Sequence, residues 1–124
     1  RAVLVDIKDS DYKTAARKIS AALFDEGILK EEHITEDWSE LARDLKKRLM
    51  DTTDKIPYFL LMLDEADKFI ESCESVKYEP FDMLKEIQGI GEKRFKFVVA
   101  GLRNIVRFKK EATLGIVYFR ILIH

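Results

Sequence analysis

The 124-residue chain has a single cysteine, Cys73, so no disulfide can form within it. Its thiol usage fits a reducing, cytoplasmic setting. It has two histidines, His33 and His124, far apart and with no Cys or His at metal-ligand spacing, which argues against a zinc site. No apolar run approaches the ~20 residues of a membrane-spanning helix, and no signal-peptide pattern is present, so no membrane partner is expected. There is no excess of one charge. With 22 basic and 23 acidic residues the net charge is -1, which gives no electrostatic basis for bulk nucleic-acid binding. Internal repeats and low-complexity linkers are also missing. The chain opens on Arg1-Ala2-Val3 rather than Met, as expected of a piece of a longer protein.

What is present is a globular pattern. The apolar fraction is 47%, and the length suits one domain over residues 1–124. Residues 2–7 (AVLVDI) read as a short strand buried on both faces. Asp9 or Ser10 can then cap a helix whose stripe is Tyr12, Ala16, Ile19 and Leu23, with Gly27 as its stop. Thr35 is a second N-cap candidate, ahead of a helix burying Trp38, Leu41, Ala42, Leu45 and Leu49. Pro57 opens a strand over 58–63, where the loss of one ladder donor is tolerated. A helix follows from about Glu65. Pro80 starts another, with Phe81, Leu84 and Ile87 on one side and an end at Gly89. Residues 95–101 (FKFVVAG) form a third strand, and 116–123 (IVYFRILI) a fourth. Strands alternating with helices predict an α/β fold, a three-layer sandwich around a mostly parallel sheet. Ligands of such sheets bind beyond the C-terminal ends of the strands.

Three segments carry candidate chemistry. In LMLDEAD an apolar strand runs into Asp64, Glu65 and Asp67. Hydrolysis of a nucleoside triphosphate needs one acid to hold Mg²⁺ and often a second to orient or deprotonate the attacking water. Asp64 suits the first task and Glu65 the second. The competing reading is that all three only complement a helix dipole. In FKFVVAGLRN, Arg103 or Asn104 at the tip of a neighbouring strand could touch a γ-phosphate or hold the water. Alone, this is more simply an exposed loop. In LKEIQGIGEKR the Gly-Ile-Gly resembles the turn of a helix-hairpin-helix DNA-binding element. That element needs a helix directly afterwards, whereas Phe95 begins a strand. A helix C-cap at Gly89 is the better reading, and no direct nucleic-acid binding is expected.

LLMLDEADKFI followed by RFKFVVAGLRNIVRF resembles the Walker B and sensor-1 strands of P-loop NTPases. The pattern is most similar to the bacterial branch of the STAND class of signal-transduction ATPases, relatives of the AAA+ proteins, over roughly residues 2–110. The resemblance implies a partial P-loop (RecA/AAA+-like) core, with ATP and Mg²⁺ as cofactors. On that basis Asp64 would hold the metal, Glu65 would be the catalytic carboxylate, and Arg103, or else Asn104, the sensor. AVLVDIK would be the strand after the P-loop helix. No G-x-x-x-x-G-K-[ST] occurs in these residues, so the main phosphate grip would come from an upstream P-loop segment. This piece alone is expected to turn over no ATP. A DEAD-box helicase would require Ser-Ala-Thr where Ala100-Gly101-Leu102 stands. A third possibility is an inactive regulatory or interaction domain of the same fold. Self-association is expected through the edge of the 95–101 strand, unless the tail folds back to fill it.

Overall fold

The computed structural model describes residues 1–90 and 94–101, together with the backbone of a strand at 118–121. Its sheet has four strands in the order β1 (Ala2–Asp6), β2 (Phe59–Asp64), β3 (Phe95–Gly101), β4 (Tyr118–Ile121). All three pairings are parallel. The register places Val3 beside Leu61 and Leu61 beside Phe97. It also sets Asp6 beside Asp64, so two neighbouring strands end on carboxylates at the same level. The Asp64 strand, β2, lies between β1 and β3. β4 lies against β3 from Val98 to Gly101, so the edge expected to be open is occupied there by the tail.

Four helices connect the described strands: α1 (Tyr12–Asp25), α2 (Trp38–Met50), α3 (Asp67–Cys73) and α4 (Glu79–Ile90). Their starts follow from local chemistry. The Asp11 carboxylate accepts from the Thr14 amide at 2.8 Å and caps α1. This bond, more than any other cause, holds Asp11 below the usual carboxylate range, while burial opposes it. Asp37 caps α2 through the Ser39 and Glu40 amides. The caps expected at Asp9 or Ser10 and at Thr35 are therefore displaced by two residues or less. Asp9 adopts a left-handed conformation instead, with φ 56°. The Thr35 hydroxyl accepts from the Asp37 amide and donates to Glu40. Gly27, at φ 74°, closes α1 as the sequence implied. α4 runs through Gly89 to Ile90, so Gly89 is a helical residue rather than a cap.

The core lies between the sheet and the helices. Val3, Val5, Phe59, Leu61, Leu63, Phe95, Phe97 and Val99 line one sheet face, and none is more than 5% exposed. Trp38 stacks on Phe69 with ring centroids 5.8 Å apart, and Phe69 meets Phe81 at 5.3 Å. The Trp38 indole N–H, which must find a partner when buried, donates to the Tyr12 carbonyl. All five residues expected on the buried side of α2 are buried.

The expected three layers are two among the described residues. The alternate residues of β1 and β2 stay partly open: Leu4 is 64% exposed, and Leu60 and Met62 are half-buried. β1 is thus an edge strand covered on one face rather than a strand buried on both. The cause is topological. Parallel crossovers are right-handed, and β1, β2 and β3 follow one another in the same direction across the sheet. Each crossover then returns over the same face, and α1 to α4 all fall there. A helix on the other face requires a connection that moves back across the sheet.

Candidate functional site

The fold carries the LMLDEAD carboxylates to the C-terminal tip of β2, flanked by the tips of β1 and β3. Asp64 is the last residue of the strand. Its Oδ1 accepts from the Glu65 amide at 2.9 Å. The next residue, Glu65, has φ 54°, a left-handed conformation that costs a non-glycine residue on the order of 1 kcal/mol or more. That conformation breaks the strand at once and leaves the Glu65 side chain exposed to solvent. Ala66 turns the chain inward, fully buried, and its amide donates to the Ala100 carbonyl of β3 at 2.8 Å. α3 begins at Asp67.

This geometry separates the three acids by what each one touches. A carboxylate that serves a helix start accepts from first-turn amides. The N-cap position of α3 is Ala66, and no side chain caps it. Asp67 alone lies in the first turn. Asp64 binds the strand-exit amide of Glu65, and Glu65 points into solvent, so neither acts as the α3 cap. Its first-turn position suits Asp67 to the helix dipole, and no cap bond accounts for Asp64 or Glu65.

Asp67 has a second neighbour. Its carboxylate lies against Gly101, the last residue of β3: a Cβ on Gly101 would stand 3.1 Å from Asp67 Oδ1 and 3.2 Å from Oδ2. The two motifs singled out in the sequence, DEAD and AG, therefore touch through Ala66 with Ala100 and Asp67 with Gly101. The sequence offered one trace of this contact, the small residues at 66, 100 and 101, which strand and helix patterns do not require. On the β1 side, Asp6 Oδ1 accepts from the Lys8 amide, and the Ile7 amide donates to the Asp64 carbonyl. Asp6 was not expected at this edge, because the pairing register alone puts it there.

Arg103 and Asn104, the expected sensor residues, lie outside the described residues. Among the described residues, no three His, Cys, Asp or Glu side chains converge on a common point that could hold a metal ion. A groove of about 440 Å³ opens elsewhere, at the N-terminal turns of α1, α2 and α4, over Trp38, Pro80 and Met83. None of Asp64, Glu65 and Asp67 lines it. Cys73 is fully buried, and burial pushes its thiol far up, so it is no nucleophile at neutral pH. No described helix is long and apolar enough to cross a membrane. Comparisons with protein-family models, with curated proteins and with solved structures find no match to this chain.

Proposed function

We propose that this chain is part of the nucleotide-binding core of a STAND- or AAA+-type ATPase, which couples ATP binding and hydrolysis to signalling within a longer protein. One observation carries the reading. Asp64 and Glu65 stand at the C-terminal tip of an interior strand of a parallel sheet, and neither caps the helix that follows. In such sheets that tip is where ligands bind. Asp64 is the metal-facing acid and Glu65 the residue that orients or deprotonates water. Glu65 is exposed and left-handed one residue past the strand, and its own amide holds Asp64.

The donor set suits a magnesium ion that arrives with the nucleotide. Magnesium keeps several waters and takes one or two protein carboxylates together with phosphate oxygens. One acid at a strand tip fits that habit, and a self-sufficient protein cage would need more. Magnesium bound with ATP would supply charge neutralisation on the phosphates, with Asp64 holding the metal and Glu65 the water. The phosphate grip itself comes from a P-loop outside these residues, and the finer fold, a three-layer P-loop core, depends on the same segment. In that core the place beside β3 belongs to the P-loop strand, and β4 holds it here. Arg103, or else Asn104, is the sensor in this proposal.

A second reading, an inactive regulatory or interaction domain of the same fold, is favoured by β4 in that place and by the exposed Leu4. A helicase of the DEAD-box kind has less support, since Ala100-Gly101 takes the place of its Ser-Ala. Nucleotide titration separates the readings. A chain carrying these residues together with a P-loop binds Mg·ATP at micromolar concentration or better, and Asp64→Asn removes the magnesium dependence. The 124 residues alone bind weakly or not at all. Magnesium-independent binding by the parent, or none, favours the inactive domain.

A further inference from the structure

The contact between the DEAD turn and the end of β3 gives Gly101 a task that strand formation does not. Gly101 is buried at the C-terminal end of β3, where any L-residue could continue the ladder into Ile121 of β4. What glycine provides is space. The Asp67 carboxylate crowds the point at which a Cβ would sit, with its Cγ 3.3 Å away, too close by a few tenths of an ångström. Contacts this short to a methyl carbon require a neighbour to give way. The neighbour here is the first residue of α3, and it is one residue away from the Ala66 amide that bonds Ala100. Ala66 is itself 0% exposed, so the turn has no slack on its inner side. Immediately before it stands Glu65, held at φ 54°.

We propose that Gly101 and Asp67 form a positioning pair that fixes the backbone of Glu65. Seating the Asp67 carboxylate against the bare Cα of Gly101 sets the start of α3. That start brings the Ala66 amide to the Ala100 carbonyl, and the Ala66 bond keeps Glu65 in its left-handed conformation. Such conformations persist only where the surroundings over-determine them, and these two contacts add to the bond from the Glu65 amide to Asp64. Gly101 is thus a positioning residue, acting on Glu65 from another strand. The functional value of the pair rests on the role proposed for Glu65, whereas the mechanical coupling does not.

Amide hydrogen exchange followed by NMR on this 124-residue chain, without nucleotide, tests the coupling. Exchange of the Ala66 amide reports local opening of the turn, and the Val3 and Val5 amides report the rest of the sheet. Gly101→Ala speeds Ala66 exchange by about tenfold and leaves the Val3 and Val5 amides at the parental rate. With Asp67→Ala in the background, a side chain that lacks the carboxylate and its Cγ, the same Gly101→Ala change has an effect of no more than about twofold. Should Gly101→Ala fail to fold, Asp67→Ala alone still speeds Ala66 exchange selectively. Unchanged Ala66 exchange in every variant overturns the proposal, and so does an equal effect of Gly101→Ala with Asp67 or Ala at that position. Because no nucleotide takes part, a failed ATPase reading leaves this test intact.

Discussion

The two faces of the sheet are written in nearly the same residues and have different fates. On the helix side, Phe59, Leu61, Leu63, Phe95, Phe97 and Val99 are 1% exposed or less. On the other side, Leu4 is 64% exposed and Leu60, Met62 and Val98 are half-buried. Hydrophobicity therefore does not say which face is covered. Connection handedness does, because three strands taken in one direction send every crossover over one side. A strand that is apolar on both sides is suited to burial on both, as in fully covered parallel sheets. The half-open sheet is what the proposed P-loop core would complete, by a connection running back across the uncovered side.

The largest expected effect breaks the comparison at its covered side. Phe97→Ala removes a fully buried ring and costs about 3–5 kcal/mol of stability, read from urea unfolding. Leu4→Ala across the sheet costs roughly 0.5 kcal/mol or less, because its side chain is already in water. In a longer chain that covers this face, the cost of Leu4→Ala rises to about 2 kcal/mol or more, and a cost that stays small there leaves the sheet two-layered.

Next in size is the cap of α1. Asp11→Ala costs about 1 kcal/mol at pH 7 by loss of the bond to the Thr14 amide. The folded pKa of Asp11 is lowered, so this stability is complete above the unfolded value near 3.9 and is lost as pH falls through the folded value. The gap between parent and variant should close on acidification below about pH 4, as unfolding curves at several pH values will report. A gap that widens in acid would show that the carboxylate is not the active form of the cap.

Chemical labelling contrasts the faces without loss of stability. Cys73, on the buried side of α3, stays unreactive toward an aromatic disulfide reagent until the chain unfolds. Leu4→Cys on the open face reacts in the native state. The smallest change expected is in association. The exposed Leu4 and the outer edge of β1, unpaired among the described residues, favour concentration-dependent self-association, and Leu4→Glu weakens it in sedimentation experiments. A parent that stays monomeric at high concentration removes self-association from the account.

Much of this arrangement was legible in the residues. The β3 bounds, the buried set of α2 and the placement of Asp64 at a strand tip all follow from patterns that local chemistry imposes. Helix starts were misread where two acceptors competed: Asp11 displaced Asp9 and Ser10, and Asp37 displaced Thr35, because the winning carboxylate is the one that can reach the N2 or N3 amide. Two layers rather than three stand among the described residues: Leu4, Leu60 and Met62 look like core residues, and their exposure depends on chain direction, which apolar pattern does not encode. At the site, Asp64 and Glu65 could be named from spacing. The seating of Asp67 on Gly101 could not, since it joins residues far apart in the chain that only the sheet brings together.

Single-turnover hydrolysis tests the role of Glu65 most directly. The chain would carry these residues together with a P-loop, and Glu65→Gln would be compared with parent under saturating Mg·ATP. An amide of the same size keeps the turn but neither accepts a proton nor carries charge. The account predicts a rate lowered by about 10²–10⁴-fold with nucleotide affinity unchanged. A parental rate in Glu65→Gln would contradict it and reduce the acid at the tip of β2 to a solvated surface residue.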